Sequence, residues 1–177
     1  QHMRAEHGAL RSFVRDIADY PVAGVTFRDI TPLLGDSAAL TQSVDAMAAR
    51  FEGTQIDRVV GVEARGFIFG AAVAYRVGAG FVPVRKAGKL PWAVVREEYK
   101  LEYGSDKLEI HRDAIHPGEQ ILIVDDVLAT GGTAAATAKL VEILGGVVAG
   151  LAFLLEIESL GGRAKLGERT TQALLHY

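Results

Sequence analysis

Two neighbouring carboxylates, Asp125 and Asp126, follow the apolar run 121–124 (ILIV) and precede the segment VLATGGT, which ends at Thr133. A glycine-rich turn at the start of a helix binds anions, because its exposed amides and the helix dipole favour negative charge. The carboxylates would repel a phosphate, so we expect them to bind sugar hydroxyls or a hydrated Mg²⁺. This order of residues predicts a site for a ribose 5-phosphate. The alternative is that the two acids only cap the turn.

Several other kinds of chemistry are excluded by composition. The chain has no Cys, which rules out thiolate catalysis, disulfides and Cys-based zinc sites. It carries no GxxxxGK[ST] phosphate loop. The 19 Lys and Arg against 22 Asp and Glu give a net charge of -3, which argues against a general nucleic-acid binder.

Length and hydrophobicity set the expected organisation. With 177 residues, 49% of them hydrophobic, the chain is expected to be a single domain over residues 1–177. Its apolar runs are too short to cross a membrane. We therefore expect a cytoplasmic protein with neither nucleic acid nor membrane as a partner. Gln1 and His2, before Met3, are interpreted as the remnant of a tag.

Alternating strand and helix patterns must position the two acids. Helices are predicted over residues 9–19 and after a cap at Asp36 or Ser37, and residues 22–35 are predicted to be irregular. Further along, strands are predicted at 58–62, 81–85, 120–124, 147–155 and 170–176, with helices at 66–78 and 132–144. This alternation predicts an α/β fold, an open, mainly parallel twisted sheet flanked by helices.

A polar stretch interrupts the alternation between residues 86 and 119. From Arg85 to Arg112 there are seven Lys or Arg and five Asp or Glu. The segments 101–103 and 108–110 flank Gly-Ser-Asp and predict a hairpin. A long polar insertion in a compact domain is typical of a functional lid, here residues 86–105, and the alternative is a solvated loop.

Residues 124–133 (VDDVLATGGT) resemble the signature that binds phosphoribosyl pyrophosphate (PRPP) in type I phosphoribosyltransferases, and the LATGGT ending is similar to the adenine branch. Five further segments match that branch in order: 27–30 (FRDI), 63–67 (EARGF), 85–91 (RKAGKLP), 101–104 (LEYG) and 160–163 (LGGR). The match covers nearly the whole chain, and the ordered set is far more specific than any one motif.

The resemblance implies the reaction of adenine with PRPP to give AMP and pyrophosphate in purine salvage, with Mg²⁺ brought mainly by PRPP and no metal site in the protein. It implies that Asp125 and Asp126 bind the ribose hydroxyls, and that Arg65 meets the pyrophosphate. The 5-phosphate would be held by Ala129, Thr130, Gly131, Gly132 and Thr133. Lys86 and Lys89, with Arg85, would add positive charge at the pyrophosphate, and Tyr103 would also contact the substrate. A cis peptide is expected at Glu63-Ala64, and a homodimer is expected.

For the base, the resemblance implies a hood formed mostly by residues 1–35. Phe27 and Leu160 would sandwich adenine, and the backbone at Thr26 and Arg28 would read its edge. Plain core packing of Phe27 is the alternative. Glu102 is the candidate acid/base residue, because a carboxyl near N7 can exchange a proton with the base. The alternative for Glu102 is a surface position in a charged hairpin.

Two other functions stay open at this point. A 6-oxopurine enzyme of the same family usually has a third acid where this chain has Ala129. A regulator that keeps the PRPP site but binds nucleic acid would need a basic face or an added domain, and a gel shift would detect it.

Overall fold

A seven-stranded sheet forms the centre of the protein, whose computed structural model describes residues 7–101 and 103–177. In spatial order the strands are β5 (Val94–Lys100), β6 (Ser105–His111), β4 (Gly80–Lys86), β3 (Arg58–Val62), β7 (Gln120–Leu128), β8 (Val147–Glu156) and β9 (Thr171–His176). β4, β3, β7, β8 and β9 are parallel, and β6 pairs antiparallel with both β4 and β5. The predicted open, mainly parallel sheet is confirmed.

Helices cover both faces of this sheet. They are α1 (Thr31–Gly35), α2 (Ser37–Ala49), α3 (Arg65–Val77) and α4 (Gly132–Ile143), with 3₁₀ turns at Gly8–Phe13, Glu158–Leu160 and Gly162–Leu166. Side chains alternate between the faces of a strand. Val60 and Ile123 therefore pack in the cluster on the α4 side, and Val59 and Leu122 pack in the cluster on the α2 and α3 side. No helix among the described residues is long and apolar enough to cross a membrane.

The elements predicted around the centre of the sheet lie within about a residue of their observed bounds at most ends. Asp36 is the N-cap of α2, because its carboxylate accepts a hydrogen bond from the Ala39 N–H at 2.8 Å. Gly78, at φ 77°, ends α3 as predicted. The edge strand predicted at 170–176 is β9.

The helix predicted over residues 9–19 is wrong beyond its first turn. Residues Gly8–Phe13 form a 3₁₀ turn, and β1 (Arg15–Ile17) pairs antiparallel with β2 (Phe27–Asp29) in a separate two-stranded ribbon. The periodicity did find the buried side chains Leu10 and Val14. Because an isolated helix of this length is marginal, pairing with β2 decides the backbone. For the same reason residues 22–35 are not irregular throughout, since they contain β2 and α1.

The hairpin prediction is wrong in register. Leu101 and Tyr103 are not part of a strand, and β5 and β6 are joined by a turn in which the Leu101 N–H donates to the Gly104 carbonyl oxygen at 3.0 Å. Gly104, at φ 87°, provides the left-handed residue that the turn needs. Much of the segment predicted to be a lid loop is therefore strand β5, which pairs with β6 along its whole length. Its movement as a lid stays a prediction.

Candidate active site

The loops after β3 and β7 lie at the same edge of the sheet, because these strands are parallel neighbours. After β3, Glu63 and Ala64 lead into α3, and the peptide between them is cis, as predicted. After β7, residues 129–131 lead into α4. The segments that sequence reasoning selected separately are thus brought together by the topology.

Asp126 forms an ion pair with Arg65. β7 continues to Leu128, four residues beyond its predicted end, so both acids lie within the strand and their side chains alternate between its faces. The Arg65 Nε–H donates to Asp126 Oδ2 at 2.5 Å. Asp126 is buried and Arg65 is about half exposed. This pairing raises the pKa of Arg65 and places the residue predicted to meet pyrophosphate beside one predicted to bind ribose.

Asp125 is enclosed against the first turn of α3. Its Oδ1 accepts a hydrogen bond from the Asp126 N–H at 2.9 Å, and a Cβ on Gly66 would lie 2.6 Å from this oxygen. Glycine at 66 is therefore required for the helix to approach. Burial, followed by the charge of Asp126, raises the pKa of Asp125 well above its ordinary value. The site thus holds one carboxyl whose pKa is raised by burial beside one that is paired with a cation.

Because of this arrangement, we expect Asp125→Asn to increase the stability of the folded protein at neutral pH. Above the ordinary value of 3.8, folded Asp125 retains a proton that the unfolded chain has lost, so its contribution to stability falls as pH rises through the folded pKa. Asn removes this cost and keeps the oxygen that accepts from Asp126. We expect the Tm at pH 7.5 to rise by about 2–4 °C, the shift for ~1 kcal/mol in a domain of this size. The gain should shrink towards pH 4.

Asp57→Asn is the matched control, because its shift has the opposite sign. Hydrogen bonds from the Gln120 N–H and from Gln55 lower the pKa of Asp57. Its contribution to stability is therefore present above pH 3.8 and lost as pH falls, so Asp57→Asn should lower the Tm at pH 7.5. Equal Tm changes for Asp125→Asn at pH 7.5 and pH 4 would contradict the burial of a charge at Asp125.

The turn between β7 and α4 forms a small concave pocket of about 90 Å³, lined by Asp125, Val127, Leu128, Ala129, Thr130, Gly131, Thr133 and Ala134. Gly131 is the N-cap of α4 at φ 87° and has no side chain to cap the helix. The first N–H groups of α4 therefore have no capping side chain at this residue and are available to an anion. A Cβ on Gly131 would overlap the carbonyl oxygen of Gly162, so the turn depends on glycine. The geometry is that of an anion cradle at the predicted position.

Tyr99 was missed by sequence reasoning. The Thr133 hydroxyl donates to the Tyr99 hydroxyl at 3.3 Å, which in turn lies 3.4 Å from Asp106 Oδ2. Its ring packs on Gly132, where a Cβ would lie 3.1 Å from it. The available signal was weak: Val94, Val95 and Tyr99 are residue types common in strands, but residues 94–100 show no alternation of polar and apolar residues. Tyr99 links the β5–β6 hairpin to the cradle.

Glu63 contacts the basic segment 85–89 that was predicted to meet pyrophosphate. Its carboxylate accepts from Lys89 Nζ at 2.8 Å and from the Lys86 N–H at 2.8 Å, and it lies 3.4 Å from Arg85 Nε. Burial opposes ionisation, but these contacts prevail and lower the pKa of Glu63. The Lys86 ammonium pairs with Asp106 at 3.3 Å. Glu63 was also missed as a functional residue, although an acid at the end of a central parallel strand was the available signal.

The predicted base residues lie on two separate segments. Phe27, in β2, has the Arg65 guanidinium 5.9 Å above its ring and Tyr20 edge-on at 5.2 Å. Leu160 is half exposed at the end of its 3₁₀ turn. Just after it, Gly162 packs against the cradle at Gly131. Both segments therefore contact the acid and cradle region.

The remaining four predicted site residues are Thr26, Arg28, Tyr103 and Glu102, and the structure describes three of them. Thr26 is exposed, and Arg28 pairs with Asp16 at 2.7 Å. Tyr103 is 88% exposed in the turn between β5 and β6. Glu102 lies outside the described residues, so its role stays a prediction.

One cluster among the described residues has side chains suited to a metal: Glu156, Glu158 and His176. Arg163 donates to both oxygens of Glu156, at 2.9 and 2.8 Å. A cation already occupies that carboxylate, and Mg²⁺ prefers oxygen ligands in an octahedron. This cluster therefore does not fit a magnesium site.

Comparison with known proteins decides the family. Residues 34–167 match the family model of the phosphoribosyl transferase domain. The chain belongs to the phosphoribosyltransferase family. The resemblance inferred from the motifs is thereby confirmed, and this phosphoribosyltransferase is an enzyme of the pentosyltransferase class.

Its relatives place the phosphoribosyltransferase in the adenine branch. An adenine phosphoribosyltransferase of Clostridium perfringens is 57% identical over 169 residues, covering 96% of this chain and 98% of the relative. A crystal structure of the Thermoanaerobacter pseudethanolicus adenine phosphoribosyltransferase is 49% identical, with a TM-score of 0.94 and coverage of 97% and 99%. The Saccharomyces cerevisiae enzyme, 39% identical, has a TM-score of 0.91 with coverage of 97% and 99%. It was solved with adenine and an imino-altritol bisphosphate.

Proposed function

We propose that this phosphoribosyltransferase transfers the 5-phosphoribosyl group of PRPP to N9 of adenine, giving AMP and pyrophosphate in purine salvage. The observation that carries the proposal is the continuity of the Asp125-Asp126 pair with the anion cradle at the end of β7. Together they match the hydroxyls and the phosphate at the two ends of one ribose 5-phosphate. The names of the relatives support adenine as the base.

PRPP binds with its 5-phosphate on the amides of residues 129–133 and its ribose hydroxyls on the acid pair. Asp126 accepts hydrogen bonds from a hydroxyl, and Arg65 exchanges this carboxylate for the pyrophosphate oxygens. Lys86 and Lys89 add positive charge there. The bond between C1 and the pyrophosphate oxygen then breaks with its electron pair on the leaving pyrophosphate, the N9 lone pair of adenine bonds to C1, and the proton that the base loses passes from N7 to the Glu102 carboxylate. Positive groups already in place at the leaving group stabilise its developing charge.

Adenine lies between Phe27 and Leu160, and the backbone at Thr26 and Arg28 reads its edge. The exposed side of Leu160 and the half-buried ring of Phe27 support this slot. A flat apolar contact suits the faces of a purine, and backbone groups suit its polar edge. The yeast relative solved with adenine supports the same base.

Magnesium would be brought by PRPP and, when bound, would supply positive charge at the pyrophosphate. Asp126 is paired with Arg65, and burial raises the pKa of Asp125. Each acid therefore fits a contact with a sugar hydroxyl or with the water shell of the ion.

The remaining proposals concern organisation. Residues 1–35 form most of the hood and residues 86–105 the lid of a single domain. A homodimer is supported by Ile68 and Tyr75, 45% and 91% exposed on α3, and sedimentation of the native protein measures it. The reaction is placed in the cytoplasm, because the charge of phosphorylated sugars prevents them from crossing membranes.

Glu102 exchanges a proton with adenine near N7 in this proposal. Glu102→Gln is expected to lower kcat roughly 100-fold while raising the KM for adenine less than about threefold, because general acid–base catalysis acts in the transition state. Steady-state kinetics with varied adenine measures both constants. Glu98→Gln is the control, since Glu98 lies four residues earlier in the chain, in β5, and its carboxylate accepts from the Ser105 hydroxyl at 2.7 Å. Equal kinetics of the two variants would remove the role of Glu102.

A panel of bases tests the whole proposal. The protein is incubated with PRPP, Mg²⁺ and, separately, adenine, hypoxanthine, guanine, xanthine, uracil and orotate, and nucleotide formation is followed by chromatography. AMP formation from adenine alone is the expected result. Turnover of another base would overturn the base assignment. PRPP binding without any turnover would overturn the enzyme assignment and favour the regulator.

A further inference from the structure

Tyr177 contacts both segments that carry the proposed base slot. One segment is the β1–β2 ribbon, which carries Phe27, and the other is the turn Glu158–Leu160. The two segments belong to different parts of the fold, and the ribbon is not part of the main sheet. Their separation must be held by side chains and backbone that reach both of them.

The ring of Tyr177 holds the ribbon side. The guanidinium of Arg28 lies over this ring, 4.4 Å from its centroid, and that of Arg11 lies over it at 4.0 Å. Arg28 is the neighbour of Phe27 in β2, and Asp16 fixes its other side through the ion pair across the ribbon. A cation over an aromatic face is attracted to the ring and not to the hydroxyl.

The backbone of Tyr177 holds the turn side. Its N–H donates to the Glu156 carbonyl oxygen at 2.8 Å, and its carbonyl oxygen accepts from the Glu158 N–H at 2.8 Å. These bonds extend the pairing of β8 with β9 by one residue, up to the first residue of the turn that carries Leu160. Leu160 N–H then bonds to the Ile157 carbonyl oxygen at 3.1 Å, which completes the turn.

We propose that Tyr177 is a positioning residue that sets the distance between the two walls of the base slot. A two-stranded ribbon is at best marginally stable on its own, so its place on the main body depends on contacts of this kind. That adenine occupies the slot rests on the proposed function. The linkage of the two walls through Tyr177 is independent of that function.

Tyr177→Ala removes the ring, and Tyr177→Phe keeps it. We expect Ala to raise the KM for adenine roughly three- to tenfold, the range for the loss of a partly desolvated cation–π contact, with kcat and the KM for PRPP within about twofold. Phe is expected to behave as wild type, because the Tyr177 hydroxyl is buried and has no hydrogen-bond partner among the described residues. Its loss leaves no partner unsatisfied.

Hydrogen exchange separates this proposal from the proposed function. Tyr177→Ala should speed amide exchange in the peptide that contains residues 27–29, because the ring contacts Arg28, whereas Tyr177→Phe should not. Exchange at residues 158–162 should match the wild type in both variants, since the backbone bonds of residue 177 remain. This readout needs no substrate, so it remains decisive if the wild type makes no AMP. Unchanged exchange at residues 27–29 in Tyr177→Ala would overturn the proposal. For an active wild type, equal rises in the KM values for adenine and PRPP, or an unchanged KM for adenine, would also overturn it.

Discussion

Asp126→Asn is expected to lower kcat/KM for PRPP by roughly 100-fold, the loss of about two charge-assisted hydrogen bonds. The carboxylate holds Arg65 at 2.5 Å and is placed to bind a ribose hydroxyl. Asn keeps the shape of Asp126 but removes its charge, so its hydrogen bonds to the ribose weaken, and Arg65 loses the carboxylate that orients it before PRPP binds. Steady-state kinetics at saturating adenine measures the effect.

The fold should survive this change. Asp126 also raises the pKa of its neighbour Asp125, so removing its charge relieves a repulsion as it loses an ion pair. Asp45→Asn is the matched control, because Asp45 accepts from Arg76 Nε at 3.1 Å on the exposed surface. Exposed pairs of this kind contribute about 1 kcal/mol at most, so its kinetics should match wild type. An Asp126→Asn enzyme with wild-type PRPP kinetics would refute the ribose role.

Gly131→Ala is expected to abolish measurable PRPP binding and to lower the free energy of unfolding by about 2–4 kcal/mol. Two costs add at this position. A Cβ is strained at φ 87°, and it would overlap the backbone oxygen of Gly162, which cannot rotate away as a side chain can. Relief requires the cradle to move away from the turn that carries Leu160. Calorimetric titration with PRPP and Mg²⁺, with denaturant unfolding alongside, measures both effects.

Gly53→Ala isolates the backbone cost. Gly53 has φ 79°, but nothing lies within 4 Å of an added Cβ. This variant should lose only about 1–2 kcal/mol of stability and bind PRPP normally. If Gly131→Ala and Gly53→Ala have the same stability and the same PRPP affinity, the contact between the cradle and Gly162 contributes neither to stability nor to PRPP binding.

The central strands could be predicted from the sequence because their signals are local. Residues 59–62 of β3 and 121–124 of β7 are continuous apolar runs and are buried, and Gly78 ends α3 by its own conformational preference. The cradle was predictable for the same reason, since a strand, two acids and a glycine pair are adjacent in the chain. Family resemblance then supplied the roles that spacing alone could not.

The failures occur where distant residues decide the structure. β1 had a helical period, but its backbone pairs with β2, twelve residues further along. β7 extends through Asp125 and Asp126 because β8 continues beside it to Glu156. Likewise, no local pattern predicted that Arg65 pairs with Asp126, 61 residues away, and its role at a pyrophosphate stays a prediction. No local pattern contains information about such partners.

The ion pairs at the site have a consequence for competition among anions. Arg65 and Lys89 already have carboxylate partners, at 2.5 and 2.8 Å. An anion that replaces one of these carboxylates exchanges a contact for a similar one, so a single inorganic phosphate gains little. A ligand that contacts the cradle, the acids and both cations at once gains binding free energy from each of these contacts. The protein loses the same two ion pairs, those of Arg65 and Lys89, as it loses to a simple anion. Abundant simple anions should therefore inhibit weakly, and selectivity arises from the number of sites that one molecule can span.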